Sequence, residues 1–146
     1  MQDFPHHYRV SADAKSSGNV VLSSDGVADL PSAPPAEFGG PGDQWSPESL
    51  LVAAVADCFM LSFRAIARAS RFDWNALQCS VDGTLDKVDR VTQFTGFKVS
   101  ASLEVAAGSN VEKAERLLEK AEQVCLITNS LKADSRLEAT VHVVVT

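Results

Sequence analysis

The chain has 146 residues (15.6 kDa), 45% of them hydrophobic and 22% charged, which suits one domain with an enclosed core and excludes wholesale disorder. Thirteen basic residues against nineteen acidic ones give a formal net charge of −6 and an isoelectric point near 4.9. With no basic run, the chain lacks the electrostatic footprint of a nucleic-acid binder.

The first residues, Met1-Gln2-Asp3-Phe4-Pro5-His6-His7, have no basic flank leading into an apolar stretch and do not read as a signal peptide. The most apolar stretch, Leu50 to Phe63, contains Asp57 and is shorter than the roughly 20 apolar residues of a bilayer span. It reads as a buried core helix, so no membrane partner is expected and a cytoplasmic location is. In that reducing compartment, an odd count of three cysteines argues against a structural disulfide framework. Any disulfide is then a reaction product rather than a staple.

Loose alternation from Tyr8 to Ala14 predicts a half-buried strand. Lys15-Ser16-Ser17-Gly18 turns the chain, Asn19 to Ser23 returns, Ser24-Asp25-Gly26 turns again, and Val27 to Leu30 forms a short third strand. The result is an N-terminal β-meander. Pro31 to Gln44 carries four prolines and three glycines and reads as a long loop. Its glycines lack the Gly-Lys-Ser/Thr ending of a phosphate cradle, so they read as turn residues. Ser46-Pro47-Glu48-Ser49 then marks a helix start: a capping serine, a proline at the first helical position, and a carboxylate at the positive end of the dipole. The run Leu50 to Ala56 is apolar all round, which predicts burial on every side. Arg64, Arg68 and Arg71 share a face later on, and the helix is expected to end near Ser70 or Arg71.

Leu77, Cys79 and Val81 alternate with polar residues in a strand that continues to Val88. Val91 to Val105 is its partner across a tight turn at Asp89-Arg90. From about Asn110, the positions Val111, Ala114, Leu117, Leu118, Ala121, Val124 and Cys125 make one apolar helical stripe. Thr128-Asn129-Ser130 interrupts or restarts that helix, and Leu137 to Val145 closes the chain as a strand. The order β-β-β-α-β-β-α-β defines an α+β domain over residues 1–146 with two helices packed on sheet.

Cys58 lies in the middle of the first helix and Cys125 at the end of the second stripe. These helices are the two available to cover the sheet, so the two thiols are positioned to meet. Cys79 faces the apolar side of its strand and reads as a small hydrophobe. Helical spacing alone allows the same reading for Cys58 and Cys125, and the alternatives stay open on pattern. No metal site is expected: there is no C-x-x-C, His6 and His7 fall in an exposed tail, and His142 falls in a strand. A Cys–His hydrolytic pair is equally unsupported.

The segment from Trp45 to Cys58, with Pro47-Glu48 opening a helix and a small-residue run ahead of the cysteine, resembles the helix signature of the OsmC/Ohr family of thiol peroxidases. Val124-Cys125-Leu126-Ile127-Thr128-Asn129-Ser130 is similar to the family's second landmark, a later helix cysteine followed by an apolar residue and a polar turn. The leading meander and the Gly39-Gly40 loop extend the resemblance over most of the chain. It implies an OsmC-like fold in an intertwined homodimer with active sites at the subunit interface. It also implies that Cys58 is the peroxidatic cysteine, attacking a small organic hydroperoxide to become a sulfenic acid. Cys125 is then the resolving cysteine, and a dithiol reductant such as a lipoyl group recycles the disulfide. No cofactor is implied. The alternative is a non-catalytic dimer of the same fold that binds a small molecule or senses redox state.

Glu48 and Cys58, ten positions apart, are separated by about 15 Å of rise if the helix is continuous. Glu48 therefore serves the site only from a second subunit or across a break, or else it simply stabilises the helix dipole. The family also supplies an arginine beside its reactive thiol, from an early turn or from the loop before the helix. Here those segments read Lys15-Ser16-Ser17-Gly18 and Ala36-Glu37-Phe38-Gly39, with no arginine in either. Lys15 is the available substitute, without the guanidinium fork.

Overall fold

The computed structural model describes residues 1–145. They gather into two compact units, Met1–Leu50 and Leu51 onward. The first carries a three-stranded antiparallel sheet in the order β1 (Ser11–Asp13), β2 (Val20–Ser23) and β3 (Leu30–Ser32). The meander is as expected, but its strands differ from their predicted bounds, the second only in starting at Val20 rather than Asn19. The first is shorter than Tyr8–Ala14, since its ladder with β2 runs only from Ser11 to Asp13, and it is exposed throughout rather than half-buried. The third begins at Leu30 rather than Val27, since Val27 N–H closes a turn on the Ser24 carbonyl at 3.3 Å. Pro31, assigned to the loop, is a residue of β3, where an edge position leaves its missing N–H without consequence. The rest of the Pro/Gly segment holds a short 3-10 turn at Ala36–Phe38, ended by Gly39 at φ 84, a conformation that favours glycine.

α1 (Pro47–Ala69) starts as its sequence predicts. Ser46 Oγ accepts from Ser49 N–H at 3.0 Å and Ser49 Oγ accepts from Ser46 N–H at 2.9 Å, a reciprocal capping box with serine at both ends. The helix ends in a Schellman turn: Arg71 takes φ 52, its N–H bonds to the Arg68 carbonyl, and Phe72 N–H reaches the Ala67 carbonyl at 2.9 Å.

The second unit is built on a long hairpin, β4 (Ala76–Val88) and β5 (Val91–Val105). Asp89 and Arg90 sit at φ 50 and 67, the two left-handed residues that a tight hairpin turn matching strand twist requires. β6 (Asp134–Val143) adds to β5 in parallel, beginning three residues earlier than expected because Asp134, Ser135 and Arg136 continue the ladder against Gly96, Phe97 and Lys98. α2 (Val111–Gln123) is capped by Asn110 and followed by a separate short helix, α3 (Leu126–Asn129).

Alternate residues of β5 (Phe97, Val99, Ala101, Leu103 and Val105) form the floor of the core. Onto it α1 sets one ridge at i, i+4 spacing (Val55, Phe59, Phe63 and Ala67), and α2 sets Ala114, Leu117, Leu118 and Ala121. Burial of each large side chain here contributes on the order of 1.5–3 kcal/mol. The expectation that the apolar run of α1 is buried on every side is corrected. Within one chain only that ridge is fully buried, and Leu61 keeps 51% of its surface exposed. One sheet and one neighbouring helix cannot wrap a cylinder that is apolar all round. By length and composition α1 would suffice to cross a membrane, although Asp57, Arg64 and Arg68 lie along it.

The hairpin comes close to α1 at Gly83, where a Cβ would stand 2.8 Å from Val52 Cγ2 and 3.1 Å from Phe94. Gly83→Ala is expected to destabilise the fold by about 1–3 kcal/mol, because the contact can be relieved only by displacing packed side chains. Urea denaturation measures it, and an unchanged midpoint would contradict this packing.

Candidate active site

Cys58 is half-buried on α1, next to the core ridge at Phe59. Opposite it the chain does something that helical periodicity does not reveal. α2 ends at Gln123, and Cys125 leaves the helical conformation at φ −59, ψ 108 to become the N-cap of α3. The expectation that Cys125 ends the stripe of the second helix is thereby corrected. The break falls at Val124-Cys125, and Thr128-Asn129 lies inside the restarted turn. The kink is braced from several sides. Thr128 Oγ donates to the Cys125 carbonyl at 3.2 Å, Asn129 Nδ2 to the Gln123 carbonyl at 3.2 Å, and Ser130 Oγ to the Leu126 carbonyl at 2.7 Å. Val124 N–H meanwhile keeps its bond to Lys120 at 3.0 Å.

The consequence is electrostatic. Breaking the helix frees the leading amides of α3, which have no partner inside that helix, and those of Leu126 and Ile127 favour the Cys58 thiolate. The side chain of Cys125, 2% exposed, lies within hydrogen-bonding reach of Cys58. One turn along α1, Ser62 Oγ is 3.9 Å from Cys58 Sγ. Partial burial pushes the Cys58 thiol up. The Ile127 amide, the Cys125 thiol, the Ser62 hydroxyl and the Leu126 amide together outweigh it, and the thiol is held below its ordinary value. None of these groups is a charged side chain.

The structure therefore brings Cys58 and Cys125 together. It does not bring Glu48 to them within one chain, because α1 is unbroken from Pro47 to Ala69. Glu48 is the second residue of the helix, as dipole stabilisation would have it. Yet among the described residues its Oε1 is the one buried side-chain polar atom with no hydrogen-bond partner. Cys79 faces α1 with Sγ 3.9 Å from the Ala56 carbonyl, and burial alone pushes its thiol up, which suits an inert packing residue. Arg64 and His142 are exposed, and His6 bonds to the Gln2 carbonyl at 3.0 Å. Among the described residues no group of three or more His, Cys, Asp or Glu side chains converges as a metal site would.

Sequence reasoning missed Ser62 and the amides of Leu126 and Ile127. The i+4 spacing of Ser62 from Cys58 was a usable signal. The amides had none, because a broken stripe and a continuous one share the same apolar positions here.

What the fold and these side chains define is a dithiol site on an α+β scaffold, with one sulfur poised toward the thiolate. The family model described as OsmC-like protein matches residues 40–140, and the chain belongs to that family. An organic hydroperoxide resistance protein from Xanthomonas axonopodis pv. citri is 29% identical over 117 residues, covering 78% of this chain and 79% of the relative. An OsmC-like protein of unknown function from Vibrio cholerae superposes with a TM-score of 0.84 at 19% identity, over 93% of this chain and 100% of that one. An organic hydroperoxide resistance protein OsmC from Legionella pneumophila does so at 0.74 and 26% identity, over 95% and 98%.

Cys58 and Cys79 are expected to alkylate in a set order. Cys58, with its lowered value, should react with iodoacetamide at a lower pH than a free thiol, and Cys79 at a higher one. Mass-spectrometric mapping across a pH series measures both midpoints; Cys79 titrating below Cys58 would contradict the arrangement.

Proposed function

We propose that the protein is a thiol peroxidase that reduces organic hydroperoxides through Cys58 and Cys125. The Cys58 thiolate attacks the outer oxygen of the hydroperoxide and the O–O bond breaks. The alkoxide leaves, taking a proton to become the alcohol, and Cys58 is oxidised to a sulfenic acid. The Cys125 sulfur then attacks the sulfenic sulfur. The hydroxyl leaves with a proton as water, and a Cys58–Cys125 disulfide forms. A dithiol, such as a lipoyl group, restores both thiols by exchange and is itself oxidised to a disulfide.

The single observation that carries this reading is the placement of Cys125, as N-cap of α3, among the groups that hold the Cys58 thiol below its ordinary value. Leu61, three residues on from Cys58, is 51% exposed, and Leu126, next to Cys125 in the chain, is 65% exposed; apolar side chains of this kind suit an alkyl or aryl peroxide better than an ionic one. The name of the Xanthomonas relative points the same way.

We further infer that the working unit is a cytoplasmic homodimer. Leu61, the exposed large apolar side chain of α1, marks the surface a second copy would cover. The unpartnered Glu48 oxygen is the acceptor each protomer would lend to the other's site.

Reduced protein treated with an alkyl hydroperoxide should lose two thiols and gain an internal Cys58–Cys125 link, and Cys125→Ser should accumulate sulfenic acid at Cys58, seen as dimedone adduct. Persistence of both thiols would instead leave a passive binding module. Leu61→Lys should convert the dimer to monomer on gel filtration, since a buried ammonium without a partner is disfavoured by several kcal/mol. A parent protein already monomeric would remove this part of the reading.

A further inference from the structure

Two observations remain outside the cycle itself. The arginine that the family resemblance leads one to expect is replaced in both candidate segments, and the donors around Cys58 are neutral. Among them Ser62 is the one side chain with no redox chemistry of its own. It sits at i+4 from Cys58, a spacing that stacks two side chains on one face of a helix. Its hydroxyl is 3.9 Å from Cys58 Sγ, and this is the only side-chain hydrogen bond of Ser62 among the described residues. A mid-helix serine usually turns back to the carbonyl four residues earlier. Here it faces the sulfur instead.

We propose that Ser62 is a positioning residue for the Cys58 thiolate, its hydroxyl donating to the sulfur from the α1 side while the leading amides of α3 donate from the other. This rests on the reading of Cys58 as the attacking thiol. A neutral donor is a reasonable substitute for a cation. A hydrogen bond to an ionised group is about twice as strong as one between neutral groups, and it is not weakened as a surface charge is by salt. The hydroxyl also sets direction. A donor one helical turn away on the same face restrains where the sulfur can sit. Cys125 is the titratable group that faces Cys58 from the opposing segment; Asp57 and Arg64, on the same helix, are exposed.

The test is the pH profile of Cys58 alkylation by iodoacetamide in the reduced, full-length protein, mapped by mass spectrometry. Ser62→Ala should move the midpoint up by about half a unit to one unit, a loss of roughly three- to tenfold in thiolate below it. Ser62→Thr, which keeps the hydroxyl, should restore it. Thermal melting should leave Ser62→Ala close to the parent, since only an oxygen is lost from a half-buried position. Oxidation by cumene hydroperoxide should slow in proportion to the lost thiolate. A midpoint that stays in place in Ser62→Ala, or moves equally in Ser62→Thr, overturns the role of Ser62 even if peroxidase activity persists. A shifted and rescued midpoint in a protein that consumes no hydroperoxide supports Ser62 and overturns the peroxidase reading instead.

Discussion

A sulfur atom partly withdrawn from water becomes an anion only if something replaces the hydration it has lost. Everything distinctive about the Cys58 site answers that requirement. Burial alone pushes a thiol the wrong way, as Cys79 demonstrates on the strand facing α1. Cys58 differs because a second segment turns its amide edge toward it at close range. Both are partly buried, yet one is held toward reactivity and the other is not. Hydrogen-bonding groups lower the Cys58 thiol, whereas burial alone acts on Cys79.

Those donors exist because α2 stops. An uninterrupted helix through Cys125 would have satisfied the amides of Leu126 and Ile127 internally, and their hydrogens would have run along the axis. The break at Val124-Cys125 spends one turn of helix to release them, and the braces from Thr128, Asn129 and Ser130 keep the loose ends satisfied. The same break places Cys125 as the cap, so the second thiol and the amides that favour the first thiolate move as one segment. The sheet beneath makes this rigid. β5 runs for fifteen residues with alternate side chains buried, and both α1 and α2 register on it, which fixes the distance between the helices.

Much of this was legible in the amino acids. The meander, the capped start of α1, the Asp89-Arg90 turn and the long hairpin follow from local chemistry, and local chemistry is what a sequence displays. The pairing of Cys58 with Cys125 is an expectation drawn from apolar stripes and from family resemblance together, and it stays a proposal. The break at Cys125 was not, because Val124, Cys125 and Ile127 are apolar whether the helix continues or restarts. Nor was the shift of the third strand to Leu30–Ser32, where an edge position overrides the usual exclusion of proline. The search for a cation near Cys58 asked the wrong question of the sequence: backbone amides carry no side-chain letter, and they are present at every residue except proline.

Complete burial of α1 was the other misreading, and its physical content is instructive. A helix can be apolar all round for two reasons, a surrounding core or a surface awaiting a second molecule, and composition does not separate them. The buried ridge at Val55, Phe59, Phe63 and Ala67 takes one side of the helix; Leu61 lies outside it, half exposed. The buried, unpartnered oxygen of Glu48 lies near the start of the same helix. A carboxylate oxygen without a donor costs about 1–3 kcal/mol or more, and exposed leucine adds a further hydration cost. On the proposed reading both costs are relieved by one event, the approach of a second α1. The residues that look least finished in the single chain are then the ones that complete the site in the pair.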